Sequence, residues 1–108
     1  MRELDLSKNK IRQVEANSFL QSHIITVLKL DDNALKSIAN IERIESLQIL
    51  LISGNRISEF YELEKLGELP NLVELSFISN PISRKPNYRV YILKRIPQLV
   101  NLDGKEIT

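Results

Sequence analysis

The sequence predicts an α/β solenoid, with a parallel sheet of short strands on one side, short helical backs on the other and a closing unit at the C-terminal end. Three observations carry this. An eleven-residue pattern recurs four times in register. The stretches between copies carry aliphatic residues at helical spacing. Residues 81–108 then depart from the pattern, with prolines bounding a helical segment. Self-similarity at a period in the twenties marks stacked units, none of which can bury its apolar face alone.

The copies are MRELDLSKNKI (1–11), ITVLKLDDNAL (25–35), LQILLISGNRI (47–57) and LVELSFISNPI (72–82), with a degenerate LVNLDGKEIT from Leu99. Their starts are 24, 22, 25 and 27 residues apart. Aliphatic residues or Phe occupy the first, fourth, sixth and eleventh positions, and Asn the ninth. The fourth and sixth positions share one face of a strand, because strand side chains alternate. Asn9, Asn33, Asn55 and Asn80 fall in the turns that leave the strands. An Asn amide offers donors and an acceptor, so stacked copies can satisfy turn backbone that neighbouring units would otherwise bury unpaired.

The backs differ between units. Ile38, Ile41 and Ile44 recur every third residue before Leu47, which predicts a short helical or 3-10 back. SEFYELEKLGELPNL is longer, and Phe60, Leu63 and Leu66 share a helical face. The expectation is an α-helix over 59–66, capped by Ser58 and ended by Gly67 and Pro70. In the first unit, Val14, Phe19 and Leu20 are expected to pack, with loop or short helix over 17–22. Residues 87–96 carry Tyr88, Tyr91, Ile92 and Ile96 at helical spacing between prolines, which predicts a second helix.

The pattern LxxLxLxxNxL resembles that of the leucine-rich repeat family, and its short backs resemble the 22-residue class typified by a regulatory subunit of protein phosphatase 1. Asn80-Pro81-Ile82, Tyr88-Arg89, Pro97-Gln98-Leu99, Leu102-Asp103-Gly104 and Ile107 resemble the C-terminal cap of that class, seen also in a spliceosomal U2 particle protein and an axonemal dynein light chain. The resemblance implies a right-handed leucine-rich repeat solenoid with its parallel β-sheet on the concave face and short α and 3-10 helices on the convex face. It implies repeats at 1–24, 25–46, 47–71 and from 72, then a cap over 81–108. Such proteins share a fold rather than a function. No N-terminal cap is expected, which would leave Met1, Leu4, Leu6 and Ile11 at an uncovered end with an open strand edge. The expectation is a piece of a longer array, prone to self-association through that end.

Composition narrows the function. The chain has 108 residues, 43% of them hydrophobic and 27% charged, with a formal charge of +1. That balance suits a folded protein and gives no bulk attraction to nucleic acid or anionic membrane. Cysteine is absent, and so is any Asn-x-Ser/Thr sequon. Both absences point to an intracellular setting, with the cytoplasm expected and cilium or nucleus as alternatives. No apolar run approaches a membrane span, and the opening residues lack the apolar core of a signal peptide.

Chemistry-bearing constellations are sparse. His23 is the only histidine, and no nucleophile–base–orienter set is built around it. Asp31 and Asp32 have no convergent partners that would make a metal site. Ser53-Gly54 is a turn, not a glycine-rich phosphate loop. The expectation is a non-enzyme without cofactor or metal. Charge is uneven: residues 59–80 hold five acids and one base, and 81–108 hold six bases and two acids. A solvated face beside an acidic helix explains this better than an RNA-associated adaptor working through Lys94 and Arg95, since Tyr88 and Tyr91 read as core contacts rather than stacking platforms.

The outward strand positions, third, fifth and seventh, carry what the repeat itself does not need. They are Glu3, Asp5 and Ser7; Val27, Lys29 and Asp31; Ile49, Leu51 and Ser53; Glu74, Ser76 and Ile78; then Asn101 and Asp103. Val27, Ile49 and Leu51 should adjoin, with Ile78 near the turn and Val73 and Val100 along the other margin. Glu3, Asp5, Asp31, Glu74 and Asp103 should rim them against one base, Lys29. An apolar patch with a polar rim is the make-up of a protein-binding site. The candidate site is therefore Val27, Lys29, Asp31, Ile49, Leu51, Val73, Glu74 and Ile78. The partner it suits is a protein, with a basic amphipathic segment matching the acidic rim. The alternative class is a structural segment of a larger ciliary or cytoskeletal scaffold.

Overall fold

The computed structural model describes residues 2–14 and 24–107. The expectations for Met1, Phe19, Leu20, the 17–22 segment and His23 fall outside these residues. Among the described residues, six strands form one sheet in sequence order: β1 (Arg2–Asp5), β2 (Ile25–Lys29), β3 (Ile49–Leu51), β4 (Glu74–Ser76), β5 (Asn101–Leu102) and β6 (Lys105–Glu106). The first five run parallel and pair one motif position with the same position of the next unit: Leu28 with Leu50, Leu50 with Leu75, Leu75 with Leu102.

The motif positions make the core. Leu28, Leu50 and Leu75 at the fourth position, Leu30, Ile52 and Phe77 at the sixth, and Leu35, Ile57 and Ile82 at the eleventh have no accessible surface. Each such side chain contributes about 1.5–3 kcal/mol on leaving water. In the first unit, Leu4, Leu6 and Ile11 pack on this core but stay partly exposed, and Val14 is buried.

The Asn ladder links consecutive turns. Asn33 Oδ1 accepts from the backbone N–H groups of Asn9 and Ile11, Asn55 Oδ1 from that of Leu35, and Asn80 Oδ1 from that of Ile57, at 2.8–3.1 Å. The amide nitrogen donates to two sixth-position carbonyls. For Asn55 these are Ile52 of its own unit and Leu30 of the one before, both at 2.9 Å. Asn80 repeats the bridge with Phe77 and Ile52. Buried amides and carbonyls that have left the strand ladder are satisfied by side chains instead.

On the back of the second unit, Ile41 donates its N–H to the carbonyl of Ile38, Ile44 to Ile41 and Leu47 to Ile44. Three linked three-residue steps turn one large aliphatic inward each time, which is the physical content of the spacing. The next back holds α1 (Phe60–Glu64), continued by a 3-10 turn, Lys65–Glu68. The α-helix is shorter than the expected 59–66, the 3-10 turn runs through Gly67 rather than ending there, and Ser58 does not cap the helix: Glu59 is the N-cap residue, without a side-chain cap bond. Ser58 lies one residue too early and turns its hydroxyl to Glu59 at 3.4 Å.

The segment from 81 closes the stack. A 3-10 turn (Pro81–Arg84) leads to α2 (Tyr88–Arg95), whose Tyr88 and Ile92 are buried. Tyr91 stacks on Phe60 of α1, ring centroids 4.9 Å apart. The parallel sheet gains one antiparallel pair at its last strand. Asp103 and Gly104 both take positive φ, 54° and 79°, so β6 folds back antiparallel on β5. An Asp-Gly pair is the preferred sequence for such a two-residue hairpin. The extra strand covers the outer edge of β5 and keeps Leu102 buried.

Candidate protein-binding face

The strand register sets the outward side chains in rows. One row runs Glu3, Val27, Ile49, Glu74, Asn101, and the next Asp5, Lys29, Leu51, Ser76. Ile49 thus lies between Val27 and Glu74, and Leu51 between Lys29 and Ser76. Both are half-buried. Flanking strands shade them from the side and leave their tips on the concave surface.

The patch is narrower than the sequence suggests. Val27 is only 4% exposed, because Ile49 stands on one side and the Glu3 stem on the other. It supports Ile49 without offering a contact of its own. Ile78 is 45% exposed but lies beyond the end of β4, diagonal to Leu51. The other diagonal joins the Ser53 and Ser76 hydroxyls at 2.8 Å. That hydroxyl pair, absent from the candidate set, puts a polar floor between Leu51 and Ile78. Two serines at outward positions of adjacent units were its sequence signal. Val73, half-buried, and Val100, 53% exposed, lie at the strand-entry margin, where Val73 accepts backbone bonds from Val100 and Asn101.

The rim is acidic but more constrained than expected. Lys29 Nζ reaches Glu3 Oε2 at 3.0 Å, and this hydrogen bond, ahead of the attraction of neighbouring acids, holds the Lys29 pKa above its usual value. Asp5 accepts from the Ser7 N–H at 3.0 Å, and that bond leads the lowering of its carboxyl pKa. Asp31 accepts from the Ser53 N–H at 2.8 Å. None of these bonds removes a carboxylate's charge. Asp103 does not belong to the rim: one oxygen accepts from the Phe77 N–H at 2.7 Å and the other from the Tyr88 hydroxyl at 2.9 Å. What remains around Ile49 and Leu51 is Glu3, Asp5, Asp31 and Glu74 against Lys29.

The charge asymmetry along the chain resolves in three dimensions. Lys85 pairs with Glu59 at 3.7 Å and lies over the Phe60 ring. The Arg95 guanidinium sits directly against Gly67, so near that a Cβ there would fall 2.5 Å from its central carbon. Glu62, counted with the acidic face in the sequence, is buried instead. It accepts from the Ser37 hydroxyl and the Ile38 N–H at 2.8 and 3.0 Å, and so joins two backs. No group of three or more His, Asp or Glu side chains is placed to hold a metal among the described residues, and no helix there is long and apolar enough to cross a membrane.

Comparison with known proteins supports the architecture. The leucine-rich repeat family model matches residues 1–108. A probable U2 small nuclear ribonucleoprotein A′ of Drosophila melanogaster is 32% identical over 106 residues, which cover 96% of this chain and 39% of that protein. Human leucine-rich repeat-containing protein 23 is 34% identical over 99 residues, 91% of this chain and 28% of that one. The chain thus spans well under half the length of these relatives. Among solved structures, the Drosophila melanogaster SNF/U2A′ complex contains a chain that superposes with a TM-score of 0.67 at 32% identity, over 99% of this chain and 75% of that one. A motif match over the whole chain, a parallel sheet in motif register and an unbroken Asn ladder lead to one conclusion: this chain belongs to the leucine-rich repeat family.

Proposed function

We propose that the chain is a non-catalytic protein-binding module that engages its partner through the concave face of the third unit. The observation that carries this is the pair Ile49 and Leu51. The repeat does not need them for its core, yet they stand half-exposed between an ion pair on one side and Glu74 and Ser76 on the other. Completing the burial of both would contribute up to about 1.5–3 kcal/mol each. The carboxylates around them favour a partner that brings lysine or arginine beside an apolar face, as a basic amphipathic segment does. The solved relative is described as part of an SNF/U2A′ complex, so assembly with another protein is a property of a similar repeat stack. The nuclear ribonucleoprotein name of the curated Drosophila relative supports an intracellular site of action, in the nucleus rather than the cytoplasm.

The test is Leu51→Glu. Wild type and variant are used side by side to capture partners, and the captured protein is then titrated against both in purified form. Affinity should fall roughly tenfold to a hundredfold, with the circular dichroism spectrum and melting curve retained. Unchanged affinity in a folded Leu51→Glu variant rejects the face.

A further inference from the structure

A second surface lies at the turns that leave the strands, away from the concave patch. The tenth motif positions of three successive units are Lys10, Ala34 and Arg56, and the twelfth positions of the first two are Arg12 and Lys36. These five residues line a single cleft of about 450 Å³. We propose that this cleft is a binding site for a compact polyphosphate anion, one carrying two or more phosphate groups within about 10 Å.

Four features support the assignment. The first is charge. The chain as a whole carries only +1, yet four of the five lining residues are cations. The ion pairs among the described residues involve Lys29, Lys65 and Lys85, and none of the cleft cations. Four like charges around one hollow repel one another, and a multivalent anion relieves that repulsion.

The second is shape. Ala34 is the one short side chain of the five, set between Lys10 and Arg56. It makes a floor where a longer residue would fill the hollow. The third is rigidity. Ala34 donates its N–H to the Ile11 carbonyl and Arg56 to the Leu35 carbonyl, both at 2.8 Å, while Asn33 and Asn55 hold the adjacent N–H groups of Ile11 and Leu35. The backbone that carries the cations is therefore tied from unit to unit before any ligand arrives, which lowers the ordering cost of binding.

The fourth is selectivity. Two strand spacings separate the first unit from the third, about 9.6 Å. That span suits a small cluster of phosphates and is short for a nucleic-acid backbone track. The cleft has no aromatic lining, so it offers no platform for stacked bases. Arginine presents a planar fork that holds phosphate oxygens in pairs, and lysine adds a point charge. The same chemistry fits a free anion or the headgroup of a phosphorylated lipid.

The experiment uses the full chain and inorganic triphosphate as the probe, followed by calorimetry. Saturable one-to-one binding is expected, at least about tenfold tighter than that of inorganic monophosphate and weakened by salt. Arg56→Glu and Ala34→Glu, one reversing a charge and one filling the floor, should each weaken it about tenfold or more. Lys94→Glu on α2 changes net charge as much as Arg56→Glu and should leave binding unchanged. Phosphatidylcholine vesicles with and without a bisphosphorylated phosphoinositide separate the two sources: vesicle binding that triphosphate displaces identifies a headgroup, and triphosphate binding without vesicle binding identifies a free anion. Absence of saturable triphosphate binding, equal losses in Lys94→Glu and Arg56→Glu, or capture of an RNA hairpin that triphosphate does not displace would overturn the site. Leu51→Glu should not affect any of these readouts, so this inference and the concave-face proposal fail independently.

Discussion

The interior turns and the C-terminal cap face one problem and solve it with different chemistry. In both, backbone N–H and C=O groups leave the strand ladder while still enclosed by neighbouring units. The interior turns use an uncharged amide: Asn55 joins the Leu35 N–H to the Leu30 and Ile52 carbonyls. At the cap, the repeating amide gives way to a carboxylate and a phenol: Asp103 takes the Phe77 N–H and the Tyr88 hydroxyl. An amide does not titrate in the accessible pH range, whereas the Tyr88 phenol does, above its ordinary value. The amide bridges of the interior turns are thus insensitive to pH, and the closure is sensitive at the alkaline end.

Three substitutions sharpen that contrast. Asn55→Ala should be the most damaging, because it leaves the buried Leu35 N–H without its partner and takes one of two amide donors from each of the Leu30 and Ile52 carbonyls, which keep those of Asn33 and Asn80. A loss of about 3–5 kcal/mol is expected at neutral pH, from one unsatisfied N–H at about 1–3 kcal/mol and two lost bonds at about 0.5–1.5 kcal/mol each, measured by urea unfolding, with little dependence on pH. Asp103→Ala comes next, at about 2–3 kcal/mol. It removes a charged acceptor and places Ala at a φ of 54°, which an Asp tolerates better. Asp103→Asn keeps that tolerance and one acceptor and should recover more than half of the loss. Equal damage from Ala and Asn would show that the carboxylate charge, not the bond to the Phe77 N–H, holds the cap.

Tyr88→Phe is the smallest, at about 1 kcal/mol near neutrality, and the most informative about pH. Burial first, then the Asp103 charge and the bond to it, push the Tyr88 phenol well above its ordinary value of 10.0. The unfolded chain releases this proton near that value and the folded chain does not. The stability the group contributes is therefore whole below about pH 10 and declines as pH rises above it. Thermal melts from pH 9 upward should show that decline in wild type and a shallower one in Tyr88→Phe. Burial raises the Tyr91 phenol in the same direction, with Glu64 adding to it, so some slope should remain. Identical slopes in the two proteins would mean that Tyr88 does not govern the alkaline limb.

Much of this was legible in the chain. The fourth, sixth and eleventh positions of the motif carry the core, and the Asn residues fall where the ladder needs them. Ile38, Ile41 and Ile44 announced their three-residue steps. The candidate site was legible in position but not in exposure. Val27 and Ile78 both occupy outward positions, yet one is nearly covered and the other stands past the strand end, because exposure depends on the side chains of adjacent units. The basic cleft was not legible in the chain, because its cations come from three units between residues 10 and 56 and only the stacking register brings them together.

By itself, the sequence determined the periodic part of this protein: which side chains turn inward, where each turn falls and how the last unit closes. Those features repeat locally, and alternation along a strand or a three-residue helical step is set within a few bonds. Tertiary structure alone decided what lies side by side across units. It buried Glu62 against Ser37 and Ile38, withdrew Asp103 from the rim to hold Tyr88 and gathered Lys10, Arg12, Lys36 and Arg56 around Ala34. Each of these depends on residues some 15 to 46 positions apart, brought together by the stacking register.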